Sequence, residues 1–129
     1  MQSLPNSSVA LIAIAITSNA FAAASDSISF NRDIRPILSD ACFQCHGPDS
    51  ATRKADLRLD QEQEAIATRD GRAAIVRGDA AASELIKRIT HSDPDEQMPP
   101  PDSGHFLTKT QISLLKRWIQ EGAHWQAHW

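Results

Sequence analysis

An all-α fold, one small domain of helices and long loops closed around something other than its own side chains, is what this sequence predicts. Three observations carry that prediction. The chain has 129 residues, and none of its 13 Lys and Arg or 16 Asp and Glu falls in the first 24. Setting those 24 aside as a targeting segment leaves 105 residues, near the lower limit for a self-sufficient hydrophobic core. Apolar residues recur at helical spacing near both ends of that remainder. The only two cysteines stand three apart, at 42 and 45, too few for a disulfide framework that would rescue a thin core. The length also excludes barrel and doubly wound enzymes. A net charge of −3 and a pI near 5.9 exclude the basic face of a nucleic-acid binder.

Residues 9–16 read VALIAIAI, and small residues follow at A-x-A spacing in Ala20-Phe21-Ala22. That is the pattern of a secretory signal peptide, although the basic segment that usually opens one is missing from residues 1–8. Thr17, Ser18 and Asn19 interrupt the stretch well short of the roughly 20 apolar residues a membrane span needs. Residues 1–24 are therefore expected to be a signal peptide cleaved after Ala22 or Ala24, with residues 25–129 as the mature domain. The expected compartment is periplasmic or otherwise extracytoplasmic, with no membrane span in the mature chain.

The first helix is expected to start at Asp33 as N-cap, with Pro36 in the first turn, where its missing N–H costs nothing. Ile34, Ile37, Leu38 and Ala41 then form one apolar stripe leading into Cys42. Cys42-Phe43-Gln44-Cys45-His46 is C-x-x-C-H, the spacing that attaches a c-type haem. On a helical turn, residues i, i+3 and i+4 share a face. Cys42 and Cys45 are thus placed to form thioethers to the two vinyl groups of one haem, with His46 as the proximal iron ligand. The rival readings are weaker. A thioredoxin-like pair wants a preceding strand, a structural zinc site lacks a second cysteine pair, and a disulfide between these two would close a tiny loop and stabilise little.

Gly47-Pro48 is expected to end the helix. Leu57 and Leu59, alternating with Arg58 and Asp60, read as a short extended piece laying two leucines on the haem edge. Residues 61–69 read as a charged helical turn stopped by Asp70-Gly71. Residues 80–89 read as a helix with Leu85, Ile86 and Ile89 inward. Met98, the only methionine besides the first residue, sits in Gln97-Met98-Pro99-Pro100-Pro101. Its thioether is the expected distal iron ligand, which favours the reduced iron, and the prolines keep the loop from collapsing into a helix. The bland alternative is a core gap-filler. His91, His105, His124 and His128 compete for the same role. In the last element, Thr108-Lys109-Thr110-Gln111 is a capping box, Ile112, Leu115, Trp118 and Ile119 share one face, and Gly122 ends the helix. Trp118 reads as core packing against the first helix, Lys109, Lys116 and Arg117 as solvated charges, and Asp93, Asp95 and Glu96 as a surface cluster.

Taken together, these residues resemble class I c-type cytochromes. More specifically, Asp33-Ile34-Arg35-Pro36-Ile37-Leu38, the C-x-x-C-H pentad with Gly47-Pro48, Leu57-Arg58-Leu59-Asp60, Ser83-Glu84-Leu85, Met98-Pro99-Pro100 and the closing Trp118-Ile119, Gly122-Ala123 and Trp125 are similar to the planctomycete-type cytochrome c domain over residues 30–129. The resemblance implies a cytochrome c-like helical domain around one covalent haem c, with the first and last helices crossing over the haem edge. Two positions depart from it. Ala55-Asp56 stands where such sequences usually carry a glycine pair, and Arg77 stands where a proline is common. In that family the domain is commonly the N-terminal module of a longer protein, so the ending at Trp129 implies a truncated member, a fragment or a stand-alone cytochrome.

The expected function is one-electron transfer through a His46/Met98-ligated haem, without enzymatic activity, toward redox partner proteins. No nucleophile–base pair competes with that reading. The alternative is a haem module serving an enzyme, whether peroxidase-like with an open distal position or attached to a missing catalytic domain.

Overall fold

The computed structural model describes residues 26–128 and, in isolation, Ser3. The expected signal peptide therefore lies outside the described residues apart from that one position. Helical winding begins earlier than the cap residue suggests. A π-helix, Phe30–Ile34, runs directly into α1, Arg35–Ala41. Asp33 is not the N-cap of α1; its carboxylate reaches back to accept the Ser29 N–H at 2.8 Å. The wide π turn has a physical reason in Pro36. Inside a continuous α-helix its ring would press on the carbonyl four residues back, and it has no N–H to offer there. The apolar stripe is inward as expected, with Ile34 and Leu38 fully buried and Ile37 nearly so.

The middle of the chain corrects the all-α expectation. After α2, Glu62–Ile66, comes an antiparallel hairpin of β1, Thr68–Arg69, and β2, Arg72–Ala73, with Thr68 opposite Ala73 and Arg69 opposite Arg72. Asp70 and Gly71 join the strands with φ of 50° and 76°. Both lie in the left-handed region that a two-residue primed turn demands and that an Asp-Gly pair supplies. The stop signal read after residue 69 is therefore a reversal. Among the described residues the fold is one π-helix, four α-helices and one two-stranded hairpin.

α3 covers Glu84–Ile89, shorter than the expected 80–89, with Leu85, Ile86 and Ile89 buried as expected. Ser83 stops it from extending backwards. Its buried hydroxyl accepts the Val76 N–H at 2.8 Å and donates to the Asp79 carbonyl at 2.8 Å, locking the preceding loop instead of continuing the helix.

α4, Lys109–Gln120, carries the full capping box: Thr108 Oγ1 accepts the Gln111 N–H at 3.1 Å, and Gln111 Oε1 accepts the Thr108 N–H at 2.9 Å. It ends in a Schellman motif, Ala123 N–H to Trp118 O at 2.8 Å and Gly122 N–H to Ile119 O at 3.0 Å. Leu115, Trp118 and Ile119 are buried against the π-helix, whose Phe30 ring lies 5.4 Å from Trp118 and 4.4 Å from Trp125. Trp118 is thus a core residue, its indole N–H donating to the His124 carbonyl at 3.1 Å. Gln126 Oε1 accepts from Asn31 N–H and Ser29 Oγ, each at 2.9 Å, so the C-terminal tail is zipped onto the start of the domain. Arg77, at the position where a proline was expected, ties the same end down by donating to the Ala123 carbonyl at 2.6 Å and pairing with Glu62. Among the described residues no helix is long and apolar enough to cross a membrane.

Candidate functional site

The last turn of α1 delivers the cysteines. α1 ends at Ala41, and the Cys42 carbonyl accepts the N–H groups of Cys45 at 3.2 Å and His46 at 2.8 Å. That single helical turn gathers the three side chains, and both cysteines are free thiols. Gly47 makes the exit possible. A Cβ on it would lie 2.1 Å from the Phe43 carbonyl oxygen, so no other residue fits without moving backbone. Arg53 then braces the turn from outside, donating to the carbonyls of Gly47 at 3.0 Å and Pro48 at 3.1 Å.

His46 is held from two sides. Its backbone carbonyl accepts the Leu59 N–H at 2.8 Å, and its ring Nδ1 lies 3.2 Å from the Lys54 carbonyl. A carbonyl only accepts, so Nδ1 carries the proton and Nε2 keeps its lone pair. Burial holds the imidazole below the ordinary histidine pKa, partly opposed by the Lys54 hydrogen bond, which favours a neutral ring at neutral pH. Burial, with Cys45 adding to it, pushes the Cys42 thiol up to about 12.

Met98 reaches the same place from the other end of the sequence. Its N–H donates to the Arg88 carbonyl at the end of α3 at 3.0 Å, and the Met98–Pro99 peptide is cis. Two adjacent cavities, of about 250 and 150 Å³, share Cys42, His46, Ile89 and Met98 as walls. Leu57, Leu59, Ala74 and Leu85 line the larger one, and Cys45 the smaller. All four residues singled out from the sequence therefore border the smaller cavity, and the two leucines of the extended piece border the larger one beside it. The competing histidines do not share this placement equally. His91, His124 and His128 are exposed, and the His91 Nδ1 accepts the Asp93 N–H at 3.1 Å. Only His105 lines one of these two cavities, where its Nε2 lies 2.6 Å from Gln44 Oε1. An amide oxygen accepts, so that nitrogen is the donor and offers no lone pair.

Sequence reasoning missed three parts of this site. The Lys54 carbonyl is a backbone group at the end of a loop, with no residue-type signal. The Gln44–His105 contact joins positions 61 apart in the chain. Arg72, Glu84 and Arg88, which line the larger cavity, look like ordinary surface charges until the hairpin brings Arg72 to α3.

The donor set fits a covalently held haem. Two thiols three residues apart, an imidazole with its outer nitrogen hydrogen-bonded and a thioether all border one apolar space, which is the chemistry C-x-x-C-H haem attachment requires. Zinc fits poorly, because among the described residues no three His, Cys, Asp or Glu side chains are arranged so that they could hold one metal ion. Residues 42–102 match the family model described as Planctomycete cytochrome C. The match is narrower than the resemblance over residues 30–129 and falls on the stretch that encloses the cavities. No curated protein and no solved structure matches the chain.

Proposed function

Since the chain carries a planctomycete-type cytochrome c domain, we propose that it is an exported mono-haem cytochrome whose task is one-electron transfer, and that it is a carrier rather than an enzyme. The observation that carries this reading is the apolar double cavity bordered at once by Cys42, Cys45, His46 and Met98. A haem c held there supplies a ferric/ferrous couple. The protein's own part is positional. Cys42 and Cys45 provide the thiols for covalent attachment, and His46 provides Nε2 as the proximal ligand, its ring orientation set by the Lys54 carbonyl. Met98 provides the distal sulfur, which favours the reduced iron. Leu57, Leu59, Leu85 and Ile89 exclude water from the site. Export rests on residues 9–24, whose apolar core and A-x-A exit match a cleaved leader, and it brings the thiols to a compartment where haem is attached.

Expression with a haem-maturation system in the periplasm tests the reading. A pyridine haemochrome spectrum of the c type is expected, and its absence overturns the proposal. Met98→Ala is expected to abolish the weak sulfur-to-iron charge-transfer band and to lower the reduction potential by about 59 mV or more, a tenfold change in the redox equilibrium. Rapid carbon monoxide uptake by the reduced wild-type protein at neutral pH would show the distal position open and favour the enzyme-module reading instead.

A further inference from the structure

The segment that carries the chain from Met98 to α4 is held at its two ends and at one point between. At its start the Met98 N–H donates to the Arg88 carbonyl at 3.0 Å, and at its finish Leu107 packs against the core. Pro99, Pro100 and Pro101 have no N–H to donate, and the Ser103 N–H is satisfied inside the loop by the Pro100 carbonyl at 2.9 Å. Among the described residues, one hydrogen bond leaves residues 99–106 for another part of the chain: His105 Nε2 donates to Gln44 Oε1 at 2.6 Å. The backbone places both partners. Gln44 stands between the two cysteines in the attachment turn, and its carbonyl accepts the Thr52 hydroxyl at 2.8 Å. His105 follows Gly104, whose φ of 78° turns the chain back, and the His105 N–H donates to Ser103 Oγ at 3.2 Å. A hydrogen bond between groups whose backbones are already fixed loses less entropy on forming than one between two free surface side chains.

We infer that His105 is a positioning residue, and that its bond to Gln44 is the latch that closes the Met98 loop against the attachment turn and so keeps the Met98 sulfur available as distal ligand; this rests on the haem reading above. Gln44 and His105 line the smaller cavity together with Met98, Pro99 and Pro100, so the latch lies beside the sulfur and not on a remote surface. Thioethers at Cys42 and Cys45 fix Gln44 from both sides, which ties the distal loop to the covalently anchored turn. Without the latch, residues 99–106 keep no polar tie to the rest of the domain, and the sulfur leaves its position more often. The consequence is specific. An outside ligand binds only the fraction of molecules in which the sulfur is displaced, so its apparent affinity reads the strength of the latch.

The test uses the full chain matured with haem in the periplasm, in its ferric form, titrated with imidazole while the sulfur-to-iron charge-transfer band is followed. His105→Ala is expected to tighten imidazole binding about fivefold, the worth of one net hydrogen bond. Gln44→Ala should do the same, and the double variant should go no further than either single one, because both remove one contact. His124→Ala is the control, since His124 is exposed and lines neither cavity; its imidazole affinity should equal that of the wild type. Unchanged affinity in both single variants, or two effects that add in the double, overturns the inference while the haem reading stands. An equal gain in His124→Ala overturns it too. A wild type without covalent haem, or without the charge-transfer band, overturns both.

Discussion

The two ends of the domain and the stretch between them solve different packing problems. Residues 26–41 and 108–128 meet in an aromatic cluster, continuous with the core that also holds Leu59, Ile75 and Ile89. Phe30, Ile34, Leu38, Leu115, Trp118 and Ile119 are buried to 2% exposure or less, and three aromatic rings meet within 5.5 Å of one another. α4 has both ends satisfied by local hydrogen bonds, and among the described residues the buried indole N–H of Trp125, beyond the helix, has no hydrogen-bond partner. Residues 42–107 also bury apolar side chains, Leu59, Ile75 and Ile89 among them, and they supply nearly all the walls of the two cavities. Their helices are only five and six residues long, too short to stand by propensity. The difference teaches where the family signature resides. The family match, residues 42–102, falls on the stretch that lines the cavities.

The largest expected effect breaks the aromatic cluster. Phe30→Ala should cost about 3–5 kcal/mol in denaturant unfolding, the usual range for emptying a buried aromatic site. That is a large share of the stability of a domain this size. The loss should be similar with and without bound haem, because Phe30 borders neither cavity. A cost below about 1 kcal/mol would mean that the terminal half is not the mechanical core.

A smaller effect sharpens the other side of the comparison. Gly47→Ala puts a Cβ 2.1 Å from a backbone oxygen that no rotamer change can move. About 1–3 kcal/mol of destabilisation is expected, as for an overpacked site. The lesion should be local: the yield of covalently bound haem should fall while the helical circular dichroism contributed by α4 persists. Loss of both together would merge the two halves into one cooperative unit at this position.

What the sequence made legible follows the same division, with exceptions that have physical causes. The α4 stripe and its capping box were readable because both are local patterns with a fixed spacing, and the C-x-x-C-H turn for the same reason. Met98 was readable as a distal candidate because it is the sole internal methionine and sits in a proline-flanked loop. The π-helix was not, since Asp33 reaching back to Ser29 mimics the cap of an α-helix starting later. The hairpin was hidden by strands two residues long, which leave no alternation to detect. The start of α3 was misplaced because Ala80, Ala81 and Ala82 are good helix formers, and only the tertiary use of the Ser83 hydroxyl shortens the element. Contacts such as Arg72 to Glu84 or Lys54 to His46 exist only once the loops are closed.

The smallest expected effect has the opposite sign. Ala55 and Asp56 have φ of 53° and 50°, the left-handed region that glycine adopts freely, and they stand where the resemblance leads one to expect a glycine pair. Here the departure can be given a cost. An L-residue in that region loses about 1–2 kcal/mol, against which glycine loses about 0.5–1 kcal/mol through its more flexible unfolded chain. Ala55→Gly should therefore stabilise the protein by about 0.5–1 kcal/mol, measured as a raised denaturant midpoint at unchanged m-value. Asp56→Gly should gain less, because aspartate tolerates this conformation better than alanine and its carboxylate lies 3.7 Å from Arg53. Strain would then lie in the half that encloses the cavities, beside the Lys54 carbonyl that orients His46. If Ala55→Gly destabilises instead, the loop is not strained there, and the contrast between a relaxed cluster and a tensioned site is lost.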